Sequence, residues 1–139
     1  MNIDQVLRNP NTQVFAPARH IDFKNIKIFN IIPVKHQEVI KKSNGLTIYY
    51  GYYRLFGFCR DDYLDIVRWN DKETWKFAWG EKLLDFLCFG ESAWGDQYAY
   101  RFNELNEHTE PKIYILNNAT MEADILADCF EDFFSWVFP

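Results

Sequence analysis

Residues 90–96 read GESAWGD, a serine between two glycines with a carboxylate on either side. A nucleophilic serine on a sharp strand-to-helix turn needs the spacing G-x-S-x-G. Gly90, Ser92 and Gly95 give G-x-S-x-x-G, one residue too long, and the alternation through Tyr98 and Tyr100 reads as strand rather than helix. Glu91 and Asp96 are then either an acid–base pair or parts of a tight turn. General acid chemistry asks for a carboxyl group isolated in apolar surroundings with a shifted pKa. Asp61-Asp62, Glu91 with Asp96, and Glu131-Asp132 instead stand where caps, turns and solvated faces put carboxylates. The stretch reads as strand–turn–strand, with Gly95 in a conformation closed to other residues and Asp96 bonding backbone N–H groups. Glu91 and Trp94 at the rim of the loop are candidate contact residues.

The other chemistries find no spacing to support them. His20, His36 and His108 are far apart, none with a partner at metal-ligand distance along the chain, and read as surface or half-buried side chains. Cys59, Cys88 and Cys129 are an odd number without a CxxC pair and sit in apolar settings, as buried free thiols do. The six glycines form neither GxGxxG nor GxxxxGK[ST], so no phosphate cradle is expected. No catalytic residue, metal or cofactor is expected.

The 139 residues fit one domain, which at this size buries roughly 70% of its unfolded surface. A composition 48% hydrophobic and 19% aromatic supplies the core and leaves rings over for recognition. The N-terminus MNIDQVLRNP lacks an apolar signal region, and no run approaches the ~18 apolar residues of a membrane span. With the free thiols, this gives the expectation of a reducing cytoplasm. Charge is asymmetric: residues 1–60 hold nine Lys/Arg and three Asp/Glu, a balance of +6, and residues 61–139 hold six and seventeen, a balance of −11. The acidic half is either a solvated surface or a face that steers a basic partner, and it makes nucleic acid a poor ligand.

The elements that must position these residues follow from periodicity. IDQVLR (3–8) predicts a short helix, and residues 16–33 a mostly irregular segment with a short strand. A helix opens at Pro33, carries Val34, Val39 and Ile40 inward, and stops at Asn44-Gly45. LTIYYGYYRLFGF (46–58) is strand material that Gly51 breaks or bulges. A helix capped by Asp61 or Asp62 covers 60–70, and TWKFAW (74–79) alternates as a strand or an exposed rib. Strands follow at 83–90, 96–102 and 112–117, with NEHTEP as a loop. The segment MEADILADCFEDFFSWVF predicts one long amphipathic helix, N-capped by Asn118 or Thr120, with Ile125, Leu126, Cys129, Phe130, Phe133, Phe134 and Val137 on its apolar face. The sum is a single α+β domain over 1–139, a central mostly antiparallel sheet flanked by helices.

In that order the chain resembles the SUKH superfamily. The resemblance lies in IIPVKHQEVIKKSNG, YYRLFGF, IVRWND, FGESAWGDQYAY with its Gly-Asp turn, and PKIYILNNATMEADILADCFEDFFSWV. The last of these is similar to the family's final strand and closing helix, with Cys129-Phe130 through Phe133 matching an sF-x-x-F pattern. It covers residues 30–139; residues 1–30 have no family counterpart. The resemblance implies an α+β fold and non-enzymatic work as a protein-binding module. Many bacterial members are immunity proteins that bind and block a cognate toxin, often a nuclease or deaminase, and fungal relatives are interaction hubs in cell-wall regulation. It carries over no catalytic residue; only the Asn44-Gly45 stop and the Gly95-Asp96 turn transfer, and both are structural.

A nuclease presents a basic surface to its substrate, which a surplus of carboxylates can occupy with a fast, salt-sensitive on-rate. Glu91, Asp96 and Glu104 are the candidate carboxylates. Trp69, Trp75 and Trp79 are either core or exposed anchors of the kind enriched at hot spots. The expected partner is a basic protein toxin, met by a monomer or weak dimer; a regulatory hub and a small-ligand sensor are the competing readings.

Overall fold

Short runs rich in β-branched and aromatic residues form strands that pair here with their sequence neighbours. The computed structural model describes residues 3–14, 22–49, 51–58, 65–71, 84–107, 109–120 and 122–137. Its seven strands are β1 (Thr12–Val14), β2 (Leu46–Ile48), β3 (Tyr53–Leu55), β4 (Phe86–Ser92), β5 (Gln97–Arg101), β6 (Ile113–Leu116) and β7 (Ala123–Ala127). They lie in the sheet in chain order, every pair antiparallel. The helices are α1 (Ile3–Arg8), α2 (Lys27–Ile31), α3 (Val34–Lys42), α4 (Ile66–Trp69), α5 (Phe102–Glu107) and α6 (Phe130–Val137), with a 3-10 turn at Phe23–Asn25. This is the expected α+β class, with the sheet all antiparallel among the described residues.

Helix α6 packs Phe130, Phe133, Phe134 and Val137, spaced i, i+3, i+4, i+7, against the sheet. The Phe133 ring lies 5.1 Å from Tyr98 and 5.4 Å from Phe89. The opposite face carries a smaller cluster of Phe86, Cys88, Ala99, Tyr114 and Leu116. Where strand pairing gives out, asparagine amides take its place. Asn44 bonds both the N–H and the C=O of Phe58, and Asn70 bonds both the N–H and the C=O of Cys88, next to a register shift in β4. Gly57 makes the first possible, since a Cβ there would stand 2.2 Å from Asn44 Oδ1. Gly45, at φ 99°, turns the chain from α3 into β2.

Several expectations are corrected. The long C-terminal helix is two elements: residues 123–127 extend the sheet as β7, and the helix starts only at Phe130. Ile125 and Leu126 point to opposite sides of a pleat, so their adjacency mimicked a helical stripe, and neither Asn118 nor Thr120 caps a helix. The chain does not run from the strand straight into the NEHTEP loop: residues 102–107 form α5, in which Phe102, expected to end the strand, and Leu105 face the core at helical spacing, and of NEHTEP only Asn106 and Glu107 are helical. The strand expected within 16–33 is absent from its described part, where the 3-10 turn and α2 bring Phe23 and Phe29 into a stack at 4.7 Å.

In α3, Pro33 is the N-cap rather than a first-turn residue, and Val34 is 65% exposed. The buried stripe is His36, Val39 and Ile40, and Val34 lies about 200° around the helix from His36. The cap of α4 is Asp65, whose carboxylate accepts from Arg68 N at 3.0 Å. Asp61, Asp62, Cys59, His20, His108, the 74–79 segment and the start of the 60–70 helix lie outside the described residues. Gly51 does split the strand material into two, at φ 94°.

His36, expected near the surface, is 1% exposed. Its ring stacks on Phe130 at 4.3 Å and meets Phe89 edge-on at 4.9 Å, while Nδ1 lies 2.8 Å from the Tyr100 hydroxyl. Burial pushes its pKa down to about 3. The unfolded chain therefore binds a proton that the folded chain refuses, so this stability is complete above about pH 6.5 and is lost as pH falls toward 3. Urea titrations should show a loss of about 2 kcal/mol between pH 7 and pH 5. His36→Gln, which keeps a partner for Tyr100, should flatten that slope; an equal slope in the variant would contradict the assignment. Asn44→Ala leaves a buried N–H and C=O at Phe58 unpaired and should cost about 2–4 kcal/mol in the same measurement.

Candidate protein-interaction surface

In a meander of seven strands the connections alternate between two ends of the sheet. The β2–β3, β4–β5 and β6–β7 turns must therefore share one end. Each has its own local cause. In the first, Tyr49 at φ 52° and Gly51 at φ 94° close a tight reversal. In the second, Gly95 takes φ 87°, Ser92 N donates to Asp96 O at 2.9 Å, and Ser92 Oγ accepts from Trp94 N and Asp96 N at 3.2 Å each. In the third, Asn117 Oδ1 accepts from Ala119 N at 2.8 Å and Thr120 N at 3.0 Å. Ser92, the residue that suggested a nucleophile, is 5% exposed and occupied as a turn acceptor.

The three turns are stitched into one ledge. Ala93 N donates to Tyr52 O at 2.9 Å, joining the first to the second. Asn118 N donates to Asp96 Oδ1 at 2.8 Å, and Asn118 Nδ2 to Trp94 O at 3.1 Å, joining the second to the third. Asp96 thus bonds a backbone N–H as expected, but in the neighbouring turn. On this ledge stand Trp94, 65% exposed, and Tyr52, 51% exposed, with ring centroids 5.5 Å apart. Trp136, exposed on α6, meets Tyr53 at 5.7 Å and Tyr98 at 6.3 Å.

The other expected contact residues are placed differently. Glu91 bonds Arg54 across the β3–β4 ladder at 2.8 Å, and its side chain is largely covered. Glu104 accepts the Tyr114 hydroxyl hydrogen, with Arg101 3.9 Å away, and lies on α5 past the far end of β5. Five strand residues, about 17 Å, separate it from Asp96. Trp69 is half-buried, its indole N–H donating to Gln97 Oε1 at 2.8 Å and its ring 4.8 Å from Phe56, so it serves the core. Trp75 and Trp79 lie outside the described residues. Tyr52 and Trp136 were not singled out from sequence, and Asn118 only as a helix cap. Tyr52 had a signal, its place beside Gly51; Trp136 had one only once the register of α6 was fixed.

Two grooves lie elsewhere: one of about 590 Å³ lined by Ile26, Ile28, Phe58, Val67, Asp65 and Arg68 among others, and one of about 300 Å³ that includes Val34, Cys129 and Phe130. Burial pushes the half-covered Cys129 thiol up in pKa, away from the reactive thiolate; Cys88 is fully buried. Among the described residues no group of three His, Cys, Asp or Glu could hold a metal ion, and no helix is long and apolar enough to cross a membrane. No protein-family model and no curated protein matches the chain.

Gly95→Ala should cost about 1–2 kcal/mol, because it combines a left-handed φ with a Cβ placed 3.2 Å from Asn118 Nδ2. Amide chemical shifts should move at Asn118 as well as in its own turn. Shifts confined to residues 93–96 would show that the turns are not coupled.

Proposed function

We propose that this chain is a non-enzymatic protein-binding module that uses the aromatic ledge as its contact surface. The observation that carries this reading is the adjacent pair Tyr52 and Trp94, both more than half exposed, the first on a turn tied by its backbone to Ala93 and the second on a turn held by side chain–backbone bonds. Large rings on a fixed backbone lose little entropy on binding and supply the desolvated anchors that dominate interface energetics. The internal engagement of Ser92 and Glu91 argues for structural work by the residues that first suggested chemistry.

The resemblance to the SUKH superfamily and the acidic second half narrow the reading to an immunity protein that binds a cognate, basic toxin of nuclease or deaminase type. Electrostatic attraction would speed association, and the ledge would hold the complex. A regulatory hub that binds host proteins is the alternative use of the same surface. The 590 Å³ groove, apolar with a few polar groups, favours a small-ligand sensor as a separate reading, which a thermal-shift panel would test.

The deciding experiment is a tagged capture from the native host, eluted with rising salt and identified by mass spectrometry. One dominant basic protein with a nuclease or deaminase domain, inhibited on rebinding, is expected. Tyr52→Ala with Trp94→Ala should weaken it at least about tenfold through a faster off-rate. Several unrelated host proteins, or an affinity untouched by the double variant, would overturn the immunity assignment or the ledge respectively.

A further inference from the structure

Strand β7 is the last in the sheet and, among the described residues, pairs on one side only, with β6. Its bonding parity is fixed by the bond from Asn117 N to Glu122 O at 2.9 Å. In an antiparallel ladder bonded and non-bonded pairs alternate, so Asp124, opposite Ile115, turns its backbone groups inward. Ala123 and Ile125, opposite Leu116 and Tyr114, turn their N–H and C=O groups outward. The side chains alternate in step. Ala123 and Ile125 share one face, with Ile125 56% exposed, while Glu122 and Asp124 share the other, both exposed.

We infer that this edge accepts a further strand from a protein partner, an extended segment in which Lys or Arg alternates with apolar residues. The outward groups of Ala123 and Ile125 supply main-chain hydrogen bonds, the apolar face of the incoming strand covers Ile125, and its cations face Glu122 and Asp124. The same charges reject a second copy of this chain, because edge-to-edge pairing would set these carboxylates opposite one another. The inference is independent of the toxin assignment and of the ledge, which lies on the turns rather than along the strand.

The test uses the peptide acetyl-KVKVKV-amide and its acidic counterpart acetyl-EVEVEV-amide with the full chain. NMR amide exchange should slow at Ala123 and Ile125 on adding the basic peptide, and binding should weaken as salt is raised. The acidic peptide should leave both amides unchanged. Ala123→Pro removes an outward N–H that the β6–β7 ladder does not use, and should weaken binding at least about tenfold while leaving the melting temperature near that of the parent. Glu122→Gln with Asp124→Asn should remove most of the salt dependence. Unprotected amides, equal binding of both peptides, or a folded Ala123→Pro variant that binds normally would each overturn the inference. So would concentration-dependent dimerisation that protects the same two amides. The amide readout on the unaltered chain decides the matter even if the proline variant fails to fold.

Discussion

The constraint on which this structure depends is the nearest-neighbour order of its sheet. Every strand after the first pairs with the one before it in sequence, so the connections alternate between the two ends of the sheet. That keeps loop-closure costs low where turns are short, and places long insertions only at the opposite end, between β1 and β2, β3 and β4, and β5 and β6. All the short hairpin turns then fall together. Their conjunction is a topological result and needs no long-range contact to bring it about, although the Asp96–Asn118 and Ala93–Tyr52 bonds fix its final shape.

A second device is the use of amide side chains as substitutes for strand. Asn44 and Asn70 each offer a donor and an acceptor to one buried residue's backbone, as a neighbouring strand would. An unsatisfied buried peptide group costs on the order of 1–3 kcal/mol, so these two side chains let the sheet end or shift register without that penalty. The buried His36 belongs to the same economy of polar groups. It is held neutral by the aromatic cage around it and meets a hydroxyl on the sheet.

Much of the fold was legible in the sequence where local and tertiary preferences agree. The β-branched and aromatic runs of β4, β5 and β6, the Gly51 break, and the Gly95 turn all show their structure in residue type. Legibility failed where pairing overrode periodicity. In residues 123–127 the pattern ADILA fits either a helix or an edge strand, and only the presence of β6 beside it decides. Of the candidate site, Trp94 was visible because it sits next to a glycine that must turn. Glu91 and Glu104 were visible as carboxylates but not as partners of Arg54 and Tyr114, since a cross-strand or helix-to-strand contact depends on register. Trp136 was hidden because an aromatic helix residue reads as core until the neighbours on each side of it are known.

The ledge separates what holds its shape from what it displays. Its backbone is fixed by Ser92, Gly95, Asp96, Asn117 and Asn118, whereas the rings of Tyr52 and Trp94 rest on that frame and do not support it. Exchanging those two side chains therefore alters the chemistry the surface presents at little expense to folding. A frame of this kind tolerates new side chains at its rim by a few point changes, with the scaffold beneath untouched.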